Sequence, residues 1–493
     1  MDISMVLKMF ISIALLAALG LFARLYKALV MEPKRVRSIL RKQGISGPPS
    51  TFLFGNMLEI RKKPPQSPTA NSKTSRNLFM FSLGNTQILY VNRPDLVREI
   101  TTCTSYDLGK PSAHRKEFGP LLGEGILTAN GPTWAHHRKV LAPELYMEKV
   151  KGMINLILES TNILLDSWKS RIDAAGGIAD INIDEYMRSF SGDVISRACF
   201  GSSYVKGKDI FVRLKTLQEA TSDKVLSIGL PGIRYIPTKS NREAWALEKE
   251  IHALILEVVK ERKESGYEKD LLQMVLEGAE NGNLSRDKID HFIVDNCKNI
   301  YLAAHEATAI GASWCLMLLA SNPEWQTRVR AEVLQICGGR TPDADMLLKM
   351  KQLTMVLQET LRLYPSGVSL SREAMKDIKI GGIDIPKGVN LWTMVAVMHI
   401  DPEIWGPDAL SFNPERFANG IAGACKLPHS YFPFGFGPRL CVGQHLAMVE
   451  LKILIALLVS NFSFTLSPKY VHSPALKLVI KPEHGVDLLI KKL

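Results

Sequence analysis

The polarity pattern opens with one apolar run. Ile3 to Ala23 reads ISMVLKMFISIALLAALGLFA, interrupted only by Lys8. About 20 apolar residues in helical form cross a hydrocarbon core ~30 Å thick. Seven bases follow between Arg24 and Lys42, opposed only by Glu32. Basic flanks stay on the cytoplasmic side, so residues 1–23 are expected to form a transmembrane anchor with the body in the cytosol. Lys8 lies near the start of the run, where its stem can snorkel to the interface. A cleaved signal peptide would carry its charge ahead of the apolar run, whereas here the charge lies behind it. Residues 24–50 read as a basic juxtamembrane segment ending in a Gly47-Pro48-Pro49 hinge, and 51–493 as one large catalytic domain.

Within that domain Phe79 to Val91 alternates around Gly84-Asn85, the pattern of a β-hairpin. Lys63 to Arg76 (KPPQSPTANSKTSR) reads as an exposed loop. Pro143 to Ala174 and Arg242 to Gly266 place apolar residues at helical spacing. Ser285 can cap a helix of about 35 residues that Ser321-Asn322-Pro323 ends. Its middle, Ile300 to Leu319, is apolar except for His305, Glu306, Thr308 and Ser313. Glu306 would be costly in lipid, so a helix through a protein core fits better than a second crossing. A buried carboxylate there is either paired or functional. Strand-like pieces return at Ile378 to Ile385 and at Leu476 to Ile490, the latter broken by Pro482 and Gly485. The predicted fold is mainly α with small β-sheets.

Composition narrows the class. With 493 residues, 46% hydrophobic and 22% charged, the chain can bury a large core. That excludes disordered, collagenous and small disulfide-stapled proteins. A net charge of +12 raises nucleic-acid binding. Residues 1–76, however, hold thirteen bases and three acids, a net of +10, which leaves +2 for the other 417. The excess is a local feature behind a membrane span, so membrane lipid is the expected partner and nucleic acid is not. Seven scattered cysteines without a CxxC pair support neither zinc nor a disulfide framework. Sequons at Asn283 and Asn461 would matter only in a lumenal body.

The chemistry concentrates near the C-terminus. Residues 434 to 443 read Phe-Gly-Phe-Gly-Pro-Arg-Leu-Cys-Val-Gly. A lone cysteine is usually a small buried hydrophobe. Cys441 sits where a glycine-rich loop meets a helix starting near Gly443, and Gly435 and Gly437 allow backbone amides to approach sulfur and stabilise a thiolate. A thiolate so presented suits an axial iron ligand, with Arg439 suited to a cofactor carboxylate. A nucleotide loop at Gly435-x-Gly437 lacks the preceding parallel-sheet pattern. Upstream, Glu359 and Arg362 share a helix face in LQETLRLYP, either as a surface pair or, given the leucines around them, as a buried one. Phe412-Asn413-Pro414-Glu415-Arg416-Phe417 offers Arg416 as a further partner.

Phe434, Gly437, Arg439, Cys441 and Gly443 fill every fixed position of Phe-x-x-Gly-x-Arg-x-Cys-x-Gly. With Glu359-x-x-Arg362, Pro414-Glu415-Arg416-Phe417 and Trp134-x-x-x-Arg138 in the same order, the chain closely resembles the cytochrome P-450 family of haem-thiolate monooxygenases. The resemblance covers essentially the whole chain. It implies haem, with Cys441 as proximal iron ligand, and Arg439, Arg138, Trp134 and Arg372 at its propionates. Glu359, Arg362 and Arg416 become a structural ion network. The long helix becomes the oxygen-binding helix, with Glu306 at its acidic position and Thr308 beside it as candidate catalytic groups. The implied reaction inserts one oxygen atom from O2 into a lipophilic small molecule, with electrons from NADPH through a membrane-bound cytochrome reductase at the endoplasmic reticulum. Phrases such as ILTANGPTWAHHRKVLAPELYMEKVKGMI and LRKQGISGPP resemble plant microsomal members, most of all the branch associated with gibberellins and ent-kaurane diterpenoids. By family position, substrate contacts fall in Lys110 to Ile126, Thr216 to Leu230, Ala303 to Thr308 and Ser366 to Leu370, with Val368, Ser369 and Leu370 foremost.

Two departures stand out. The family's oxygen helix usually reads Ala/Gly-Gly-x-Asp/Glu-Thr-Thr/Ser, but here Ala304 replaces the glycine and Ala307 the hydroxyl residue that relays protons. Thr308 is turned ~100° from that position. Three readings follow: a substrate hydroxyl or carboxyl supplies the proton path; the enzyme favours peroxo chemistry, rearrangement or dehydration; or it is a weak, peroxide-leaking copy. A catalytically silent haem-binding protein is the rival from another class. The second departure is the stretch between residues 60 and 79, where the family's first helix is expected to be lost or replaced.

Overall fold

The structure, a computed structural model, describes residues 3–62, 77–201, 204–222, 232–266, 270–280, 286–476 and 479–493. Helix α1 (Ile3–Tyr26) lies exposed, with Leu16 at 70% and Phe22 at 67% accessibility. One π-helical turn, Lys27–Met31, joins it to α2 (Glu32–Lys42), so the backbone stays helical from the apolar run into the body. Helix α2 is amphipathic and buries Val36, Arg37 and Leu40. The Arg37 guanidinium donates to the Pro48 carbonyl (2.6 Å) and the Ser82 hydroxyl (3.4 Å). Gln43 exchanges two hydrogen bonds with the Asp384 backbone, at 2.7 and 2.9 Å.

The segment expected to act as a hinge is packed down. A Cβ on Gly47 would lie 1.7 Å from the Met80 carbonyl oxygen, which only glycine allows. Met80 sits in β1 (Leu78–Leu83), which pairs with β2 (Thr86–Val91) through the predicted turn at Gly84-Asn85. A short helix, Met57–Lys62, precedes this hairpin; residues 63–76, which make up most of the stretch where the family's first helix is expected to be lost and include the expected exposed loop, lie outside the described residues.

The body is helical around a long axis. Pro143 to Ala174, where apolar residues recur at helical spacing, is three pieces: a 3-10 turn Pro143–Leu145, a short helix Met147–Lys151 and α4 (Ile154–Ala174), which follows α3 (Gly131–Leu141). Gly152 falls at the last break, where its permissive backbone weakens helix continuity. Then come β4 (Ile178–Asn182), α5 (Asp184–Phe200), α6 (Tyr204–Ser222) and α7 (Lys239–Ser265), whose Thr238 cap accepts from Asn241 N at 3.2 Å. Helix α8 (Arg286–Ser321) runs for 36 residues and stops at Ser321-Asn322-Pro323 as the pattern predicts; Ser285, its expected cap, lies outside the described residues. Its most apolar stretch is largely buried, which favours the core reading over a second membrane crossing. Helices α9 (Lys351–Leu363) and α10 (Gln444–Asn461) pack against it.

The sheets are small. A short strand β3 (Leu108–Gly109), β5 (Ser369–Ala374) and β8 (Asn390–Met394) join the hairpin in the order β1-β2-β8-β5-β3, with β2 and β8 parallel. Between β5 and β8, β6 (Ile378–Ile380) and β7 (Ile383–Ile385) form their own hairpin. The C-terminal run divides as predicted near Pro482 and Gly485: β10 (Pro474–Leu476) pairs with β11 (Ile480–Pro482), and β12 (Asp487–Lys492) lies between β4 and β9 (Phe462–Leu466).

Glu359 and Arg362 are fully buried on α9. Arg362 grips Glu359 at two points (2.7 and 2.8 Å) and donates to the carbonyls of His399 (2.7 Å), Ala409 (2.6 Å) and Ser411 (3.2 Å). Arg416 completes the group at 3.5 Å from Glu359. One carboxylate thus holds α9 and the strap 399–416 together. Removing one partner of such a pair costs about 3–5 kcal/mol, because the other stays charged and dry. Arg362→Ala is expected to lower the unfolding free energy measured by denaturant titration by that amount, while Glu359→Ala with Arg362→Ala recovers part of the loss; equal losses from the single and double changes would show that the uncompensated charge is not the cause.

Candidate active site

The loop before α10 is shaped by two left-handed glycines, Gly435 (φ 76°) and Gly437 (φ 70°). A Cβ on Gly437 would lie 2.2 Å from the Thr101 carbonyl oxygen, so a side chain there is excluded. Phe434 closes the loop by accepting from the Cys441 amide at 2.8 Å. Gly443 stands at the N-cap of α10, and its amide is the one that reaches the Cys441 sulfur. Gly435 donates instead to the Phe432 carbonyl at 2.9 Å. Burial raises the Cys441 pKa, while the Gly443 amide and the Arg138 charge pull the other way. Cys441 is exposed as a residue although its thiol is desolvated by the surrounding protein, the combination expected of a side chain that opens onto an enclosed site.

Cations gather beside it. Arg138, on α3, donates to the Leu440 carbonyl at 2.6 Å. Arg439 lies 4.2 Å over the Trp134 ring and donates to the Ala129 carbonyl (3.3 Å) and Asn130 Oδ1 (3.2 Å). Arg372, on β5, is buried and donates to its neighbour's carbonyl at 2.9 Å. Burial and their neighbouring positive charges lower both Arg372 and Arg439 to about 10.

The sequence reading placed Lys110 among substrate contacts; the structure places it with these arginines. Asn130 grips its backbone from both sides. Burial, then Arg372 and Arg439, lower the Lys110 ammonium to about 7. Among the described residues none of the four cations forms an ion pair with a carboxylate. Enclosed positive charge without protein counter-charge, next to a thiol pointing inward, fits a group with carboxylates at one edge and a metal at its centre.

Helix α8 carries the other predicted groups, and their partners differ. Glu306 lies 3.6 Å from Arg188 Nε of α5 and 3.7 Å from His305 Nδ1. Burial lowers His305 to about 3, so that ring is neutral and the pair is Arg188 with Glu306. Thr308 bonds to Glu450 on α10, a residue the sequence reading missed although it is the one acid in an apolar helix. The structure therefore turns Glu306 and Thr308 toward different neighbours. Between them, the Ala307 carbonyl accepts from Ser366 Oγ at 3.0 Å, and Ser191 Oγ reaches the His305 carbonyl at 3.0 Å. Val368 is buried, Leu370 half-buried and Ser369 exposed, and residues 223–230 of the expected substrate segments lie outside the described residues.

A family model of cytochrome P450 matches residues 45–489. The chain belongs to the cytochrome P450 family. Cytochrome P450 714C2 of Oryza sativa subsp. japonica is 49% identical over 501 residues, covering 96% of each chain. Cytochrome P450 714B3 of Zea mays is 46% identical over 517 residues, with 99% of this chain and 97% of the relative covered. Cytochrome P450 714A2 of Arabidopsis thaliana is 41% identical over 506 residues, covering 96% of each. Membership makes this a haem-thiolate oxidoreductase of the monooxygenase type, and the cation and thiol geometry fits a haem.

Glu450 gives this P450 a measurable titration. Burial pushes its carboxyl from 4.5 to about 8, partly offset by Thr308. The folded state therefore binds the proton more tightly than the unfolded chain. Its stabilisation is complete below the unfolded value and is lost as pH rises to about 8, about 5 kcal/mol over the whole window. Glu450→Gln is expected to flatten the pH dependence of denaturant stability between pH 5 and 8; an unchanged slope would place the titrating group elsewhere.

Proposed function

We propose that this P450 is anchored in the endoplasmic reticulum membrane with its catalytic domain in the cytosol. There it inserts one oxygen atom from O2 into a diterpenoid acid of the ent-kaurenoid or gibberellin type, drawing electrons from NADPH through a membrane cytochrome reductase. The enclosed group of Lys110, Arg138, Arg372 and Arg439 beside Cys441 carries the reading. Cys441 is the iron ligand. The four cations and Trp134 hold the propionates, and Phe434, Gly437 and Gly443 set the loop that presents the sulfur. Haem ligated by a thiolate supplies O2 activation, because the thiolate donates electron density to the iron and favours O–O cleavage.

The chain's own groups manage position and protons. The Gly443 amide and Arg138 hold negative charge on sulfur against the cost of burial. Glu306, held by Arg188, is the acidic proton carrier of α8. Thr308, already bonded to Glu450, does not replace the hydroxyl missing at Ala307. A hydroxyl or carboxyl of the substrate then completes the proton path, which is why an acidic diterpenoid suits this site. Basic residues behind α1 and the exposure of that helix support the orientation.

Rearrangement or dehydration is the second reading, and Ala307 is the observation that favours it. Two experiments decide. The reduced, CO-treated protein is expected to show the absorbance of thiolate-ligated haem, lost in Cys441→Ala, and to consume NADPH with reductase and ent-kaurenoid acids. An intact spectrum without turnover on any such acid would favour the second reading or a silent haem protein. Ala307→Thr is expected to change the ratio of peroxide to hydroxylated product, since positioned proton transfer is worth ~10²–10⁴-fold. An unchanged ratio would remove Ala307 from the control of proton delivery.

A further inference from the structure

The first half of α8 carries a polar row that no step above uses. Asp295, Asn296, Lys298 and Asn299 are all buried, and their spacing puts them on one side of the helix. They face the segment from Pro120 to Thr128. Asn299 grips it twice, accepting from Leu127 N (2.8 Å) and donating to the Leu122 carbonyl (2.7 Å). Asn296 accepts from Ile126 N at 3.1 Å, and Asp295 from Glu124 N at 2.8 Å. Lys298 pairs with Asp295 at 2.9 Å and donates to the Pro120 carbonyl at 3.4 Å.

The loop is built to meet this row. A Cβ on Gly123 (φ +55°) would lie 2.0 Å from the Asp295 carboxyl, and one on Gly125 2.6 Å from Asn299 Oδ1. Glycine at both positions lets the backbone lie directly on the side chains. Irregular backbone inside a protein must find partners for its amides and carbonyls. Here α8 supplies partners for the amides of Glu124, Ile126 and Leu127 and the carbonyls of Pro120 and Leu122, while Gly123, Gly125 and Thr128 bond within the loop, so α8 holds a locally turned loop in place. Ile126 and Leu127 are half-buried, and the chain runs on from them into α3, which carries Trp134 and Arg138. Asn299 precedes Glu306 by seven residues, two turns or ~10 Å along the same helix.

We propose that Asp295 and Asn299 are positioning residues for substrate selection. They fix Leu122 to Thr128 as a rigid wall of the substrate space and register that wall against the oxygen-binding half of α8. The inference rests on the proposed reading together with the expectation, from family position, that Lys110 to Ile126 meets the substrate. It states further that selectivity is enforced from α8, through Asn299, and not by a loop that closes independently.

Two variants loosen the contact from opposite sides: Asn299→Ala removes both hydrogen bonds, and Gly125→Ala drives a methyl into Asn299. In haem-loaded protein, amide exchange in 122–128 is expected to rise about tenfold in each, with the reduced-CO spectrum unchanged. The affinity ratio between imidazole and a bulky aryl-imidazole should shift in both, a readout that needs no turnover. For any substrate turned over, KM should rise about tenfold while kcat stays within about twofold. Unchanged exchange, or faster exchange with the azole ratio and KM unmoved, would overturn the proposal. Loss of the haem spectrum in both variants would overturn it too, by making the row a scaffold. If the diterpenoid reading fails, exchange and the azole ratio still decide this one.

Discussion

Positive charge without a protein counter-charge dominates this interior. Burying a cation costs several kcal/mol unless an anion or hydrogen-bond acceptors offset it. Around Cys441 the chain gathers Lys110, Arg138, Arg372 and Arg439 from four separate segments, and supplies carbonyls and an aromatic face but no described carboxylate. The depressed pKa of Lys110 records that cost. A bound dianion such as the haem's carboxylates would recover it, which would link haem binding to the stability of the fold. The turn of β3 into Lys110, the α3 face, the second half of β5 and the cysteine loop all have to converge for that recovery. The fold around the site is arranged to deliver charge.

Helix α8 is the element through which the rest communicates. At 36 residues it is ~54 Å long, and it makes different contacts at each level. Near its start the polar row holds the loop 120–128. At its centre Glu306 turns to Arg188 while Thr308 turns to Glu450, and hydroxyls of Ser191 and Ser366 bond to the carbonyls of His305 and Ala307. Extra donors at helix carbonyls loosen the regular ladder. Trp314, lower down, stacks on Tyr364 at 4.1 Å and ties the helix to the segment leaving α9.

Much of this was legible because the family's chemistry is written in short linear motifs. Cys441, Arg439, Glu359-Arg362 and the α8 acid were readable from spacing and setting, and the hairpin at Gly84-Asn85 from its turn. What was not legible depends on partners far apart in the chain. Lys110 gave no sign that Arg372 and Arg439 would surround it, and Glu450 looked like a lone acid in an apolar helix. Asn299 is unremarkable until Leu122 and Leu127, more than 170 positions earlier, are seen to bond to it. The hydrogen bond to sulfur went to Gly443 because the start of α10 presents a free amide there, whereas Gly435 serves the turn itself.

The same distinction between composition and placement applies to the membrane end. Local charge predicts which side of the bilayer the body occupies, but not how firmly it is held. Arg37, one of the seven bases, is turned inward onto Pro48 and Ser82, and Gln43 is fastened to Asp384 on the hairpin β6–β7. Glycine at 47 lets the chain lie against Met80. The chain from Arg37 to Gly47 is fastened to the body at three places. The π-helical turn Lys27–Met31 lies ahead of it, with a hydrogen-bond pattern less regular than that of the helices on either side. The segment from Arg37 to Gly47 is thus held against the body by hydrogen bonds and a glycine contact, and the π-helical turn is the stretch that joins the exposed α1 to it.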